Sequence, residues 1–460
     1  MNTHIFREYD IRGTVPRDLT PGLITDLGRA LGTFFMRSGA ASMVLGRDCR
    51  RSSPAVRDQL VRGLVETGMR VIDIGVCHTP LVYFSLFRLD MNAAVMITGS
   101  HNPPEYNGFK VCLGKTPIYG ERIRQLRDLV AGGDFQRGCG TCEKREMLAD
   151  YFDCIAGSIH LRRPLRVVVD AGNGTGGQAA VPLLQRLGCE VVPLHCEMDG
   201  SFPHHHPDPT VPANLRELIE TVAEHRADAG ISYDGDADRL GAVDDRGRII
   251  RGDELLLIFA RAILKDMPGA TFVSEVKGSQ VMYREIERLG GRAVMWKTGH
   301  SLIRAKMQEE QAAAAGEMSG HMFFADRYYG FDDAVYATCR LLEIIAESRA
   351  PAHALLDGIP RLCATPEIRI ECPDSSKFAA VGQVSSILRS RYPFHDIDGI
   401  RVDMPGGWAL VRASNTEPAL VMRFEALSPE RLAEIRTEVE TLVNGVLGAE
   451  APAPITASGG

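Results

Sequence analysis

The chain of 460 residues has no apolar run approaching the ~18 residues that a membrane-spanning helix needs. Its opening stretch, Met1-Asn2-Thr3-His4-Ile5-Phe6-Arg7-Glu8, lacks the apolar centre of a secretory leader, so a cytoplasmic location is expected. No dense Lys/Arg tract occurs and the formal net charge is −7, which argues against nucleic acid as the main partner. A disulfide scaffold is missing too. The eleven cysteines sit mostly singly in apolar contexts such as Val111-Cys112-Leu113. The pair Cys139-Gly140-Thr141-Cys142 has no second pair and no strand-then-helix context, and reads as a loop coincidence rather than a zinc or redox site.

What remains is ordinary globular composition, 45% hydrophobic and 24% charged, with length for roughly three domains on the usual prior. Residues 1–150 alternate helical and strand patterns: helices over 19–38 and 54–67, strands over 42–45, 71–74 and 93–97. That alternation implies parallel strands covered by helices. A second unit, 151–250, opens with a strand over 165–170, the turn Ala171-Gly172-Asn173-Gly174-Thr175-Gly176-Gly177 and a helix to 187. The glycine spacing departs from a dinucleotide fingerprint and no acidic residue is placed for a ribose, so a tight turn at a helix start is the better reading. A further strand covers 229–233. The third unit, 251–362, shows a helix over 254–264, a strand over 271–275 and a helix over 280–289. From 363 to 448 the pattern is α+β: strands over 367–371, 399–402 and 408–413, helices over 377–389 and 429–447. The last residues, 449–460, are Ala/Pro/Ser/Gly-rich and are expected to be disordered.

Four stretches can carry chemistry. After the apolar run Ala93-Ala94-Val95-Met96-Ile97 comes Thr98-Gly99-Ser100-His101-Asn102-Pro103-Pro104, where glycine and two prolines stop any regular element and hold Ser100 on a stiff loop. A serine so placed can be a nucleophile or part of a plain turn. Asp234-Gly235-Asp236-Ala237-Asp238-Arg239 sets three carboxylates at alternate positions past a strand end. They would repel one another unless a cation neutralised them, and an extended backbone would turn all three the same way. Hard oxygen ligands favour Mg²⁺ or Ca²⁺ over zinc, and the glycine and glutamate that an EF-hand requires are absent. Gly316-Glu317-Met318-Ser319-Gly320-His321 offers a carboxylate and a hydroxyl suited to vicinal sugar hydroxyls. Arg412-Ala413-Ser414-Asn415-Thr416 combines a donor fork with hydroxyls on a turn, which suits a phosphate dianion. Lys277 and Lys297-Thr298-Gly299-His300 add cations in strand-end loops.

These four stretches, in this order, resemble the α-D-phosphohexomutases, and the resemblance runs from Tyr9-Asp10-Ile11-Arg12-Gly13 to about residue 447. The Met318 form of the third stretch looks most like bacterial phosphomannomutase/phosphoglucomutase. The resemblance implies an α/β protein with four domains around a central cleft. Three would be related α/β domains, each a mixed sheet with flanking helices, and the last α+β. It implies that Ser100 is phosphorylated, with Mg²⁺ held by that phosphate and by Asp234, Asp236 and Asp238. Arg12, Lys110, Arg239 and His321 would surround the transferring phosphoryl group and His101 would orient the nucleophile. Glu317 and Ser319 would contact sugar hydroxyls. Arg412, Ser414, Asn415 and Thr416 would bind the second phosphate, and Tyr9, Lys277 and His300 would line the cleft. The implied reaction interconverts hexose 1- and 6-phosphates through a hexose 1,6-bisphosphate, also the activator. Competing readings are a phosphoglucosamine mutase, a metal-dependent sugar-phosphate phosphatase and an inactive sugar-phosphate sensor. Two segments depart from the family pattern. His204-His205-His206 is read as structural, because adjacent side chains in an extended segment point apart. Cys49 is read as a neutral loop position.

Overall fold

The computed structural model describes residues 3–415 and 417–448. Four sheets follow one another along the chain. In the first, the strands lie in the order Ile11–Thr14, Tyr106–Leu113, Ala93–Ile97, Ser42–Arg47, Arg70–Val76 and Thr141–Lys144, with Thr116–Pro117 beside Tyr106–Leu113. From Ala93–Ile97 to Thr141–Lys144 neighbours run parallel, while Tyr106–Leu113 is antiparallel to both of its long neighbours. Ala93–Ile97 is buried at every position, as a strand covered on both faces must be. Met43, Leu45, Val95 and Ile97 meet the helices Pro21–Arg37 and Ser53–Val65, whereas Val44, Ala94 and Met96 meet Thr79–Arg88 on the other face. Thr20 caps Pro21–Arg37 through its hydroxyl, which accepts from the Leu23 amide, and Pro21 opens the helix with its φ already helical.

The second sheet orders Ile249–Ile250, Leu240–Asp244, Ala229–Tyr233, Arg166–Asp170 and Glu190–Leu194. The third orders Arg292–Trp296, Thr271–Glu275, Ala314–Gly316 and Met322–Phe324. Both are mixed, a parallel part ending in an antiparallel hairpin. The fourth is wholly antiparallel and carries the helices Lys377–Arg389 and Pro429–Leu447 on one face. The fold class is therefore the expected one, three mixed α/β sheets and a terminal α+β unit.

One apolar core runs through the first three sheets, joining Met96, Tyr151, Val169, Tyr233, Phe259 and Tyr336, while the fourth sheet has a core of its own. At their junction a small apolar cluster of Val276, Trp408 and Leu410 lies beside a buried cation. Arg401 is fully buried, donates to the carbonyls of Val276 (2.7 Å) and Gly278 (2.8 Å), and stacks 3.8 Å from the Trp408 ring centroid. Among the described residues no helix is long and apolar enough to cross a membrane. The 449–460 tail lies outside the described residues.

Candidate functional site

All four chemistry-bearing stretches are turns of β-hairpins, one per sheet. Their closing pairs are Ile97 with Phe109, Tyr233 with Leu240, Gly316 with Met322 and Ala413 with Leu420. In the first three sheets the first strand of the hairpin is the last of the parallel set, so the turn emerges at the carboxyl end of a buried strand. Backbone there is fixed by the ladder below, and the turn is free to present polar groups. The returning strands Tyr106–Leu113, Leu240–Asp244, Met322–Phe324 and Ala419–Ala426 are not among the strands read from the sequence.

Ser100 has φ +49° and is buried rather than displayed. Its Oγ donates to Asp234 Oδ2 at 2.7 Å, and its amide donates to Thr98 Oγ1 at 2.8 Å. Asp234, Asp236 and Asp238 are all fully buried. They converge through a turn in which Ala237 has φ +53°, not through the extended backbone the spacing suggests. The amides of Asp238 and Arg239 both donate to Asp234 Oδ1 at 3.1 Å. A side chain at Gly235 would collide with the carbonyl oxygen of Ser100, so glycine is what lets the two turns touch.

Lys110 Nζ donates to Asp236 Oδ2 at 2.7 Å and to Asp238 Oδ2, and Thr79 Oγ1 donates to Asp236 Oδ2 at 2.5 Å. Burial works against the lysine's charge, but Asp236 and Asp238 outweigh it and hold its pKa above the usual value. Burial, then the charges of Asp236 and Asp238, push Asp234 well above the carboxylate range. Asp236 Oδ1 and Asp238 Oδ1 are buried without a hydrogen-bond partner, and one oxygen from each of the three acids lies within 4.8 Å of the others. An orphaned pair of carboxylate oxygens beside a third acid is a donor set for a hard divalent cation.

Arg239 Nε donates to His321 Nε2 at 3.1 Å, which places the imidazole proton on Nδ1, 2.9 Å from Asp332 Oδ2. His321 stacks on His300 with ring centroids 5.2 Å apart, and His300 meets the edge of Tyr9 at 6.1 Å. Burial, against the opposing charge of Asp332, lowers His300 to about 4. His101 Nδ1 lies 3.0 Å from Asp208 Oδ2; burial and then Arg239 lower its pKa to about 4. Arg12 donates to Asn102 Oδ1 and Asp10 Oδ2, each at 2.5 Å.

At the third turn Glu317 Oε1 accepts from the Gly299 amide at 2.8 Å, while its Oε2 is buried without a partner. Burial, followed by the charge of Glu275, raises its pKa to about 7. Ser319 stands half-buried in the same turn. Lys277 donates to Glu367 at 2.5 Å and lies 3.3 Å from Glu275. At the fourth turn Arg412 Nε donates to Asp398 Oδ2 at 2.9 Å, and the same oxygen accepts from the Thr298 amide at 3.0 Å. The Ser414 hydroxyl accepts from the Glu417 amide at 3.1 Å. Asn415 Nδ2 donates to Tyr9 Oη at 2.7 Å, and Tyr9 Oη donates to the Thr298 carbonyl at 3.0 Å. Thr416 lies outside the described residues.

Contacts therefore run without a break from Ser100 through Asp234, Arg239, His321, His300 and Tyr9 to Asn415. Lys110, Arg12 and His101 flank its first half, Glu317 and Arg412 its second. The partners that fix these groups were not singled out in the sequence: Thr79, Asp208, Asp332, Asp398 and above all the buried Arg50. Asp208 sits in the conspicuous His-His-His-Pro-Asp-Pro run, but nothing local separates Arg50 from a solvated loop arginine. The three histidines do point apart, His204 to Asn173 (2.7 Å) and His205 to Asp170 (2.9 Å), with the His206 ring 6.4 Å from His101. All eleven cysteines are free thiols; Cys139 and Cys142 are exposed, and burial pushes Cys49 up to about 12.

Comparison with known proteins accords with this geometry. Four family models match in order: phosphoglucomutase/phosphomannomutase α/β/α domain I over residues 3–137, domain II over 149–247, domain III over 251–362 and the C-terminal domain over 367–442. The chain is 44% identical over 434 residues to phosphomannomutase/phosphoglucomutase of Pseudomonas aeruginosa, covering 94% of each. It is 42% identical over 447 residues to phosphoglucomutase of Neisseria gonorrhoeae, covering 95% of this chain and 96% of that one. A crystal structure of a phosphoglucomutase/phosphomannomutase family protein from Burkholderia thailandensis superposes with a TM-score of 0.92 at 39% identity, covering 98% of this chain and 99% of that one.

Proposed function

The chain belongs to the phosphoglucomutase/phosphomannomutase family of α-D-phosphohexomutases and is a phosphohexomutase, an isomerase; from this premise we propose that it interconverts the 1- and 6-phosphates of mannose and glucose through a phosphorylated Ser100. The observation that supports this most is the 2.7 Å contact from Ser100 Oγ to Asp234, beside two carboxylate oxygens that have no partner. A hydroxyl held against a cation-ready acid cluster is placed to carry a phosphoryl group. The division of labour we propose follows the four units 1–150, 151–250, 251–362 and 363–448, which carry the serine, metal, sugar and phosphate turns in that order.

Asp234, Asp236 and Asp238, with the Ser100 phosphate, would hold Mg²⁺, which when bound draws charge from the phosphoryl oxygens. Lys110, Arg12 and Arg239 supply further positive charge around the group in transfer. His321, held between Arg239 on Nε2 and Asp332 on Nδ1, would act on a proton at the sugar hydroxyl once the arginine turns to the phosphoryl group. His101, anchored on Asp208, borders the nucleophile. Glu317 and Ser319 bind sugar hydroxyls, and Arg412, Ser414, Asn415 and Thr416 bind the phosphate that is not reacting. Lys277, His300 and Tyr9 line the space between. Phosphoserine would donate to the free hydroxyl of the hexose phosphate; the bisphosphate turns over and the serine takes back the other phosphate. Hexose 1,6-bisphosphate would then also serve as activator, rephosphorylating enzyme that has lost its phosphate.

The test is conversion of mannose 1-phosphate and glucose 1-phosphate to the 6-phosphates, with Mg²⁺ and a trace of glucose 1,6-bisphosphate. Isomerisation of both is expected. Release of inorganic phosphate without isomerisation would overturn the reading.

A further inference from the structure

Beneath the serine turn lies a guanidinium that the proposed chemistry does not use. Arg50 is 1% exposed. Its Nη2 donates to the carbonyls of Ser100 (2.7 Å) and Asn102 (2.5 Å), its Nη1 to those of Pro103 (2.5 Å) and Tyr106 (3.1 Å), and its Nε to Asp48 Oδ2 (3.1 Å). All five N–H groups of the fork are thereby committed. Asp48 grips the turn from the other side: its Oδ2 also accepts from the Gly99 amide at 3.1 Å, and its Oδ1 from Ser53 Oγ at 2.5 Å. A Cβ on Gly99 would stand 2.5 Å from Arg50 Cζ, so glycine is required for so close an approach. The second sheet's unit completes the enclosure. The Phe202 ring centroid lies 5.0 Å from Arg50 Cζ, and a Cβ on Gly200 would stand 2.6 Å from Arg50 Cα.

We propose that Arg50 is the positioning residue of the nucleophile, a clamp that holds the Ser100 turn in one conformation whether or not the serine carries phosphate. The argument is geometric. Ser100 adopts a left-handed φ that a non-glycine residue rarely holds unaided, and residues 98–105 have no ladder of their own. Four carbonyls of one turn aimed at a single planar cation fix that conformation from the backbone side. Nothing in the clamp touches the hydroxyl, so the gain or loss of a phosphate dianion leaves it in place. A lysine could supply the charge but not four divergent in-plane donors.

The inference rests on the phosphoserine reading, and its test separates the two. In Arg50→Lys, kcat should fall ~100-fold while KM for glucose 1-phosphate stays within about twofold, because a misplaced nucleophile slows transfer without loosening substrate. Amide hydrogen exchange should quicken over 98–107 and stay unchanged in the fourth sheet. Should the lysine variant fail to fold, Asp48→Asn, which weakens the Nε contact and keeps an oxygen for the Gly99 amide, should give the same pattern more mildly. A folded variant with kcat within about threefold of wild type, or with unchanged exchange over the turn, overturns the assignment. Absence of isomerase activity in the wild type would instead remove the parent reading, and exchange alone would then decide the role of Arg50.

Discussion

Ser100 Oγ and Asp234 Oδ2 stand 2.7 Å apart although they lie 134 positions apart and on different sheets. Each sits at a hairpin turn, and the two turns meet where Gly235 offers no side chain. The serine hydroxyl is thus held by the same acid that would share a cation with its phosphate. In Ser100→Ala the acid cluster keeps its geometry and loses the acceptor. Turnover should fall by ~10³-fold or more, the scale seen when a covalent nucleophile is removed. Intact mass after incubation with glucose 1,6-bisphosphate should show one phosphoryl group on the wild type and none on the variant.

The carboxylate cluster predicts how the protein responds to metal. Three buried acids, balanced in part by Lys110, crowd one another, and burial with the charges of Asp236 and Asp238 pushes Asp234 above the usual carboxylate range. Chelation should abolish activity, and added Mg²⁺ should restore it and raise the melting temperature by a few degrees through binding to the native state. Asp238→Asn should be inactive, and in metal-free buffer it should melt lower than wild type, because the buried Lys110 keeps only Asp236 as a charged partner. Its Mg²⁺-dependent rise in melting temperature should shrink. Calorimetry with and without chelator reads both effects.

Much of this was legible in the sequence, and the gaps have a common cause. Strands over 229–233 and 271–275 and helices over 377–389 and 429–447 follow from apolar runs and periodicity, and Ser100, the three aspartates, Glu317 and Arg412 from the chemistry their turns can offer. What escaped were long-range pairings. Tyr106–Leu113 begins in a loop-like polar stretch and is a strand because Ile11–Thr14 pairs with its first half and Ala93–Ile97 with its second. Arg50 and Asp332 carry no local mark that sets them apart from solvated charges, because burial is a property of the fold, not of neighbours in sequence. Ser100 itself is buried under Asp234, which no pattern within either turn discloses.

The contact between the first two turns can be tested without touching a titratable group. A methyl at Gly235 would meet the Ser100 carbonyl oxygen, a backbone atom that cannot rotate away. Gly235→Ala should therefore part the serine and metal turns, at a cost of about 1–3 kcal/mol in stability typical of overpacking. Turnover should fall further than that loss suggests, since Ser100 Oγ and Asp234 would no longer meet. Urea denaturation beside steady-state kinetics reads the two losses separately.

Glu317 gives a pH signature of opposite sign to that of an acid paired with a cation, such as Glu367 beside Lys277. Burial, together with the charge of Glu275, raises its pKa from the ordinary glutamate range to about 7, so the folded protein binds this proton more tightly than the unfolded chain. The stabilising effect of that bound proton is complete below the unfolded value and is lost as pH rises through the folded one. Above pH 7 the wild type must hold a buried carboxylate whose Oε2 has no partner. Glu317→Gln carries no such charge. The variant and the wild type should melt at similar temperatures at pH 5. The variant should gain steadily between pH 5 and 7, and melt higher at pH 8. Activity should move the other way, because with the amide oxygen kept for the Gly299 amide the NH2 group donates where the carboxylate Oε2 would accept from a sugar hydroxyl. Melting curves at the three pH values, set beside KM for both sugar phosphates, would show a variant that is firmer and poorer at binding. A melting temperature that tracks wild type across the whole range would place the titrating proton on another group.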